Sequence, residues 1–276
     1  MPELPEVESV LRCMRDEVPS LPGRTVLAVT LLSDTVVSDM KASEFTRDIE
    51  GFCFSDISRH GKYLVFTLTD GSGRQVSRYL IVHLRMTGRL YLVNQEEAIQ
   101  RHTRLVLYLD QDLALRFDDP RKFGRVWLVD NPYTVTGGLG PDALTISEQV
   151  FFERLVQYRR QLKPLLLDQS FIAGIGNIYA DEILFRAGIH PLTQSGTLSE
   201  QAVIRLYHAV IEVLVEAVAV AGANIDGVFK EGGFVVSVYG RSSLPCVRCC
   251  TSIEKIRVGQ RGTHFCPECQ PREVNR

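Results

Sequence analysis

The chain lacks the features that would place it in a membrane or outside the cell. It has no run of about 18–20 uncharged apolar residues, which excludes a membrane-spanning helix. No basic segment followed by an apolar core stands at the N-terminus, so a secretory signal peptide is not expected. It has seven cysteines, and four of them form spaced pairs, which favours a metal site in a reducing cytosol over a disulfide framework.

An excess of positive charge is also lacking. The net charge is −2 at pH 7, which by itself argues against a nucleic-acid partner. The distribution is uneven, however, because residues 1–60 hold eleven acidic and six basic side chains, whereas residues 241–276 hold seven basic and three acidic ones. A basic C-terminal segment of this kind can contact a polyanion while the whole chain stays near neutral.

The N-terminal half predicts one helix followed by β-structure. Apolar residues recur at helical spacing over residues 5–18, which indicates an amphipathic helix. Short β-rich runs separated by turn signals such as Asp70-Gly71 and Asp119-Pro120 follow, and they indicate a sandwich or a flattened barrel. The eight predicted strands are 25–32, 52–58, 63–69, 79–84, 89–93, 105–109, 113–117 and 125–129.

The C-terminal half predicts helices. Asn-Pro and Gly-Gly-Leu-Gly-Pro make 131–149 the natural boundary, with Gly188 expected to end one helix and Ser199 to cap the next. The predicted helices are 148–161, 164–168, 176–187 and 199–221. We therefore expect an α+β protein with a β-sandwich domain at 2–132, a linker at 133–149, a helical domain at 150–240 and a metal module at 241–276.

The cysteine spacing predicts a structural zinc site. Cys246 and Cys249, and then Cys266 and Cys269, form two pairs with two residues inside each pair and sixteen between them. Four thiolates leave no open coordination position, so the metal would stabilise the fold rather than catalyse. Between the pairs the sequence predicts a β-hairpin whose tip holds Gln260 and Arg261. Arg261 could contact phosphate or be an ordinary exposed turn residue.

Two further segments allow both a functional and a structural interpretation. Gly174-Ile175-Gly176-Asn177 precedes a predicted helix, where backbone amides can hold an anion and Asn177 can cap the helix or add a donor; it could equally be a tight turn. At the start of the chain, removal of Met1 would expose the secondary amine of Pro2, a potential nucleophile. The same residues would also serve as an ordinary helix start.

Taken together, these segments resemble the formamidopyrimidine-DNA glycosylase family, which includes the endonuclease VIII-like enzymes. The resemblance covers nearly the whole chain in the family's order. Its motifs are Met-Pro-Glu-Leu-Pro-Glu-Val-Glu at 1–8, Arg-His-Gly-Lys-Tyr-Leu at 59–64, His-Leu-Arg-Met-Thr-Gly-Arg-Leu at 83–90, Asp-Pro-Arg-Lys-Phe-Gly at 119–124, Leu-Gly-Pro at 139–141, Leu-Lys-Pro-Leu-Leu-Leu-Asp-Gln at 162–169, Gly-Ile-Gly-Asn-Ile-Tyr-Ala-Asp-Glu at 174–182 and Val-Tyr-Gly-Arg at 238–241.

The resemblance implies catalytic roles near the N-terminus. Pro2 matches the amine that attacks C1′ of the damaged nucleotide and forms an iminium. Glu3 matches the acid that assists opening of the sugar ring, and Glu6 matches a second active-site carboxylate. Lys62 matches a lysine that contacts phosphate beside the lesion.

The resemblance also implies DNA-binding roles. Met86, Arg121 and Phe123 match the residues that enter the duplex when the damaged base is flipped out. Three further residues match DNA ligands or pocket neighbours: Asn177 of a helix–two-turn–helix element, Arg261 of the zinc finger, and Lys163.

The implied function is a bifunctional DNA glycosylase with AP lyase activity, acting on oxidised purines by β,δ-elimination. One structural Zn²⁺ and no organic cofactor are expected, with a monomer acting on damaged double-stranded DNA in the bacterial cytosol. An oxidised-pyrimidine glycosylase and a non-catalytic zinc-dependent damage-binding protein are the alternatives. The segment Ala223–Ser237 is shorter than the usual loop over the flipped base, which leaves the lesion preference open.

Overall fold

The computed structural model describes residues 1–70, 77–224 and 232–272, and it divides them into two compact units. Met1–Pro2 and Glu6–Gly138 belong to the first unit, and Glu3–Pro5, Leu139–Asn224 and the described residues of Glu231–Arg276 belong to the second. The change of unit at Gly138 lies inside the segment 133–149; the four-part domain division itself stays a prediction.

The predicted N-terminal helix is present as α1, Leu4–Asp16. Its residues Val7, Leu11 and Met14 lie one helical turn apart and are buried in the hydrophobic core of the first unit, whereas Leu4 belongs to the core of the second. The helix ends two residues earlier than predicted, because Val18 precedes Pro19 and a residue before proline disfavours the helical conformation.

All eight predicted strands form, and they make two four-stranded antiparallel sheets. The strand order is β1-β6-β7-β5 in one sheet and β2-β3-β4-β8 in the other. The strands are β1 Val26–Leu31, β2 Cys53–His60, β3 Tyr63–Thr69, β4 Ser77–His83, β5 Arg89–Asn94, β6 Thr103–Leu109, β7 Leu113–Asp118 and β8 Arg125–Val129. Apolar side chains of both sheets, among them Phe66, Leu80, Leu107 and Leu115, share one core. The expected β-sandwich is confirmed.

The first unit also contains two short helices that were not predicted from the sequence. Helix α2, Ala42–Ile49, lies between β1 and β2, and helix α3, Tyr133–Thr136, follows β8. Only Phe45 and Ile49 of α2 are buried, which is a single i,i+4 pair and too little for a periodic pattern to appear in the sequence.

The second unit is helical as predicted. Its helices are α4 Glu148–Leu155, α5 Leu162–Leu166, α6 Asn177–Ala187 and α7 Glu200–Ala219. The Ser199 hydroxyl accepts the amide of Ala202 at the start of α7, and Gly188 ends α6 in the left-handed conformation at φ 69°, so both predicted caps are confirmed. Helix α4 is shorter than predicted and ends at Leu155. In the part of the chain that the structure describes, no helix is long and apolar enough to cross a bilayer.

The predicted hairpin closes the second unit. Strands β9, Glu254–Val258, and β10, Arg261–Phe265, pair antiparallel. Gly259 and Gln260 form its tip with φ of 52° and 65°, so Arg261 does not lie at the tip but begins β10 opposite Val258. The α+β fold ending in a cysteine-bearing hairpin is confirmed.

Candidate active site and metal centre

The four paired cysteines converge on one point in the second unit. The Sγ atoms of Cys246, Cys249, Cys266 and Cys269 all lie within 4.8 Å of one another. Three of the separations are 3.8 Å (Cys246 to Cys269), 3.4 Å (Cys249 to Cys266) and 3.5 Å (Cys269 to Cys249). A tetrahedron with Zn–S bonds of about 2.3 Å has edges of about 3.8 Å, so the donor set fits Zn²⁺.

Backbone amides support the same geometry. The amide of Arg248 donates to the Cys246 sulfur and the amide of Cys269 donates to the Cys266 sulfur, both at 3.4 Å. Such donors stabilise the thiolate form that a metal requires. Four sulfur ligands leave no position for a substrate, and the predicted structural zinc site is therefore confirmed as to its ligands.

A buried network attaches the hairpin to the helices of the second unit. The backbone oxygen of Gly262 accepts hydrogen bonds from Lys163 Nζ at 2.9 Å and from Asn177 Nδ2 at 3.2 Å. Lys163 Nζ also donates to Asp181 Oδ1 at 2.6 Å, and the amide of His264 donates to Asp181 Oδ2 at 2.9 Å. Helices α5 and α6 thereby hold the strand that begins with Arg261.

Lys163 is buried throughout rather than exposed at a surface. Both its side chain and that of Asp181 are 0% exposed. Burial lowers the pKa of Lys163, and the neighbouring carboxylate of Asp181 opposes that shift. With Asp181 and Gly262 as its partners, the Lys163 side chain is enclosed by the protein and stabilises the position of the hairpin.

The backbone amides at the start of α6, just after the glycine turn, bind an anion, and this anion is the Glu3 carboxylate of the same chain. The Glu3 carboxylate accepts the amide of Ile178 at 3.0 Å and that of Tyr179 at 3.3 Å. A side chain at Gly176 would overlap this carboxylate, so a residue without Cβ is required there. The sequence allowed an external anion at these amides, and the structure instead places the Glu3 carboxylate there. Asn177 is not the cap either, since Gly176 occupies that position.

The other catalytic candidates lie in the first unit and are buried. Pro2 is buried immediately before α1, and Glu6 is buried in the first turn of that helix. Lys62 is 6% exposed and lies with Gly61 in the two-residue turn between β2 and β3, where His60 pairs with Tyr63. Residues with a purely structural role are seldom charged when they are buried. The burial of both Glu6 and Lys62 therefore favours a functional role for these two side chains.

Two loops of the first unit expose large apolar side chains. Met86 is 38% exposed and Phe123 is 46% exposed, although both would be expected in a core by residue type. The guanidinium of Arg121 lies 4.9 Å from the centre of the Phe123 ring. Arg85 and Lys122, beside Met86 and Phe123, have left-handed φ of 55° and 58°. Both loops are thus tight turns that present these side chains outward.

His83 stabilises the Met86 loop, a role that was not predicted from the sequence. Its Nδ1 accepts the amide of Arg85 at 2.9 Å and so fixes the turn that carries Met86. Burial, together with the positive charges of Arg85 and Lys62, lowers the pKa of His83 to about 3, and the ring is neutral at physiological pH. Tyr63 packs edge-on against it at 4.5 Å.

Glu182 was also missed. Its buried carboxylate accepts the amides of Ser237, Val238 and Tyr239 at 2.8, 2.9 and 2.8 Å, and burial raises its pKa. These contacts hold the end of the segment 223–237; its residues 225–231 lie outside the described part of the chain. A signal was present in the sequence, because Asp181-Glu182 lies inside an apolar helical pattern.

Comparison with known proteins gives concordant results along the chain. Family models match for the formamidopyrimidine-DNA glycosylase N-terminal domain at residues 1–126, the formamidopyrimidine-DNA glycosylase H2TH domain at 138–227, and the zinc finger found in FPG and IleRS at 243–272. A formamidopyrimidine-DNA glycosylase of Rippkaea orientalis is 42% identical, over 98% of this chain and 100% of that protein.

Solved structures agree with the sequence comparison. A structure of MutM in complex with DNA containing carbocyclic 8-oxo-G superposes with a TM-score of 0.88 at 33% identity, covering 98% of this chain and 100% of that one. The Lactococcus lactis FPG in complex with DNA containing FAPY-dG gives a TM-score of 0.86 at 34% identity, with the same coverage.

Proposed function

The chain belongs to the formamidopyrimidine-DNA glycosylase family, and on that premise we propose that it excises oxidised purines from duplex DNA with Pro2 as the nucleophile. It is a DNA glycosylase that carries one structural zinc site and acts on damaged DNA. The observation in the structure that carries the proposal is the pair of first-unit loops exposing Met86, Arg121 and Phe123.

These three side chains suit the replacement of an extruded base. Extrusion leaves a gap in the base stack and an unpaired partner base, at a cost of a few kcal/mol. The Met86 side chain is apolar and flexible and can fill the gap, while the planar Arg121 guanidinium can hydrogen-bond the partner base. The Phe123 ring, against which Arg121 stacks, can wedge the neighbouring step.

The proposed chemistry uses the amine of Pro2 once Met1 has been removed. The nitrogen lone pair forms a bond to C1′, and the electrons of the glycosidic bond leave with the damaged base, which takes up a proton. The Glu3 carboxylate takes up the proton that the amine loses and delivers it to O4′ as the C1′–O4′ bond breaks, which gives the iminium. The iminium acidifies C2′, so loss of a C2′ proton expels the 3′ phosphate; a second elimination releases the sugar.

The protein positions these groups through contacts described above. Two amides at the start of α6 fix the Glu3 carboxylate. Lys62, in the β2–β3 turn, is proposed to contact the phosphate beside the lesion, and Glu6 to act as a second carboxylate. In the second unit, Arg261 and Asn177 are proposed phosphate ligands, and Lys163 supports both of them through the oxygen of Gly262.

We also infer that the protein acts in the bacterial cytosol. None of the seven cysteines forms a disulfide, as a reducing compartment favours. The relatives compared above are bacterial.

Borohydride trapping tests the chemistry. The protein, with removal of Met1 verified by mass spectrometry, is incubated with duplexes that contain 8-oxoguanine, a formamidopyrimidine, thymine glycol or an abasic site. We expect a covalent complex with the oxidised purines and the abasic site, and none for the matched Pro2→Gly variant. A complex that forms equally with Pro2→Gly, or fails to form with any duplex, overturns the proposal.

The same experiment separates the alternatives. Preferential trapping on thymine glycol would identify an oxidised-pyrimidine glycosylase. Binding to damaged duplexes in a mobility-shift assay without any trapping would identify a damage-binding protein that does not catalyse.

A further inference from the structure

One buried carboxylate of the first unit touches both loops that carry the proposed base-replacing residues. Asp119 follows β7 directly and is 1% exposed. Within its own loop, its carboxylate accepts the amide of Gly124 at 2.7 Å and that of Arg121 at 3.2 Å. Across to the other loop, it accepts the hydroxyl of Thr87 at 2.5 Å, and Thr87 is the residue after Met86.

Each loop has its own internal constraints. The amide of Gly88 donates to the oxygen of Leu84 at 3.0 Å and closes the turn around Met86. In the other loop, a side chain at Gly124 would overlap the ring of Phe117 and crowd the Asp119 carboxylate. These constraints fix the shape of each loop but not the position of one loop relative to the other.

Three connections bear on that relative position. Two are strand pairings: β4 with β8, which ends where His83 faces Arg125, and β5 with β7, which ends where Arg89 faces Asp118. Beyond these last pairs, the bond from Thr87 to Asp119 joins the two loops directly. It joins a neutral donor to a buried carboxylate, and bonds of that kind are short and stronger than neutral ones. It was not visible in the sequence, since 32 residues separate the two positions.

We propose that Thr87 and Asp119 are positioning residues that hold Met86 in register with Arg121 and Phe123 for base extrusion. The inference rests on the proposed function, because it takes those three side chains as the group that enters the duplex. Extrusion and filling of the gap require Met86 and Arg121 to act at the site of the extruded base while Phe123 enters the neighbouring step. A duplex that already contains an abasic site has no base to extrude, so cleavage there does not need the same register.

The test compares Thr87→Val, which keeps the shape but lacks the hydroxyl, with Thr87→Ser, which keeps the hydroxyl. Single-turnover rates are measured for excision of 8-oxoguanine and for cleavage of a preformed abasic site. We expect Thr87→Val to reduce excision about tenfold and abasic-site cleavage less than twofold, and Thr87→Ser to restore excision to within about twofold of wild type. The fluorescence of 2-aminopurine beside the lesion, which rises on unstacking, should report a slower extrusion phase in Thr87→Val alone.

The ratio of the excision rate to the rate of abasic-site cleavage tests the positioning role, because this ratio does not depend on the fraction of protein that is folded. An unchanged ratio in Thr87→Val, whether both rates fall or neither does, overturns the positioning role. Asp119→Asn provides a second variant, for which the same selective loss of excision is expected and an unchanged ratio counts against the inference. If the wild type forms no borohydride adduct even with the abasic duplex, the proposed function fails instead.

Discussion

Protonation of the buried His83 should destabilise the first unit in mild acid. The folded-state pKa of this ring is lowered to about 3 from its ordinary value of 6.5, chiefly by burial. Below pH 6.5 the unfolded chain takes up a proton that the folded chain does not bind, so stability is present above pH 6.5 and falls as the pH drops toward 3. For these two pKa values, lowering the pH from 7.5 to 5.0 removes about 2 kcal/mol.

Urea unfolding at the two pH values measures this loss. Trp127 is the single tryptophan of the chain and lies in β8 beside Tyr63, the ring that packs on His83, so its fluorescence reports the unit concerned. The matched control is His83→Asn, whose side-chain oxygen can replace Nδ1 as the acceptor for Arg85 but cannot titrate.

The comparison of pH dependences isolates one side chain. Every other titrating group, including His190, whose pKa is also lowered by burial, is common to both proteins and cancels. We expect the wild type to lose about 2 kcal/mol more than His83→Asn between pH 7.5 and 5.0. Equal losses in the two proteins would show that His83 is not held neutral, and the account of the Met86 turn would be refuted with it.

Two further predictions concern the metal module. Cys266→Ser should abolish zinc binding, unfold the hairpin and eliminate affinity for undamaged duplex, because the metal supplies the folding energy of so small a unit. The zinc content of the variant and a mobility-shift titration measure these losses. Retained affinity for the duplex would contradict the prediction. Cys250 has a left-handed φ of 63°, which is strained for any residue other than glycine. Cys250→Gly should raise the stability of the zinc-loaded protein by about 0.5–1 kcal/mol, because the relief of this strain exceeds the cost of the greater conformational freedom that glycine gives the unfolded chain. A lower melting temperature would count against this.

Most of the secondary structure could be predicted from local sequence patterns. The eight strands of the first unit could be predicted because each alternates or runs apolar between turn residues, and the caps at Ser199 and Gly188 depend only on their immediate neighbours. Helix α2 could not, since its apolar face is one pair of residues. The end of α4 was placed too far along the chain for a similar reason, because residues after Leu155 keep a helical composition without being buried.

In the candidate site, too, features that depend on local sequence could be predicted and contacts between distant residues could not. The zinc ligands follow from spacing alone, since two residues inside each pair already dictate a shared metal. The partners of Glu3, Lys163 and Asp119 could not be predicted, because each bond joins residues far apart in sequence. For the amides at the start of α6, the expectation that they can hold an anion was chemically sound, because they do bind a negative group. Only the tertiary fold reveals that the group is a side chain of the same protein.

The attachment of the hairpin through the Gly262 carbonyl bears on how such chains can diverge. A backbone oxygen is present whatever residue occupies the position, and so mutation of the hairpin side chains leaves this acceptor in place. The two donors, Lys163 and Asn177, are side chains and have no such freedom. For this one contact, substitution should therefore be resisted at the two donors on the helices and tolerated at Gly262 as far as the acceptor is concerned.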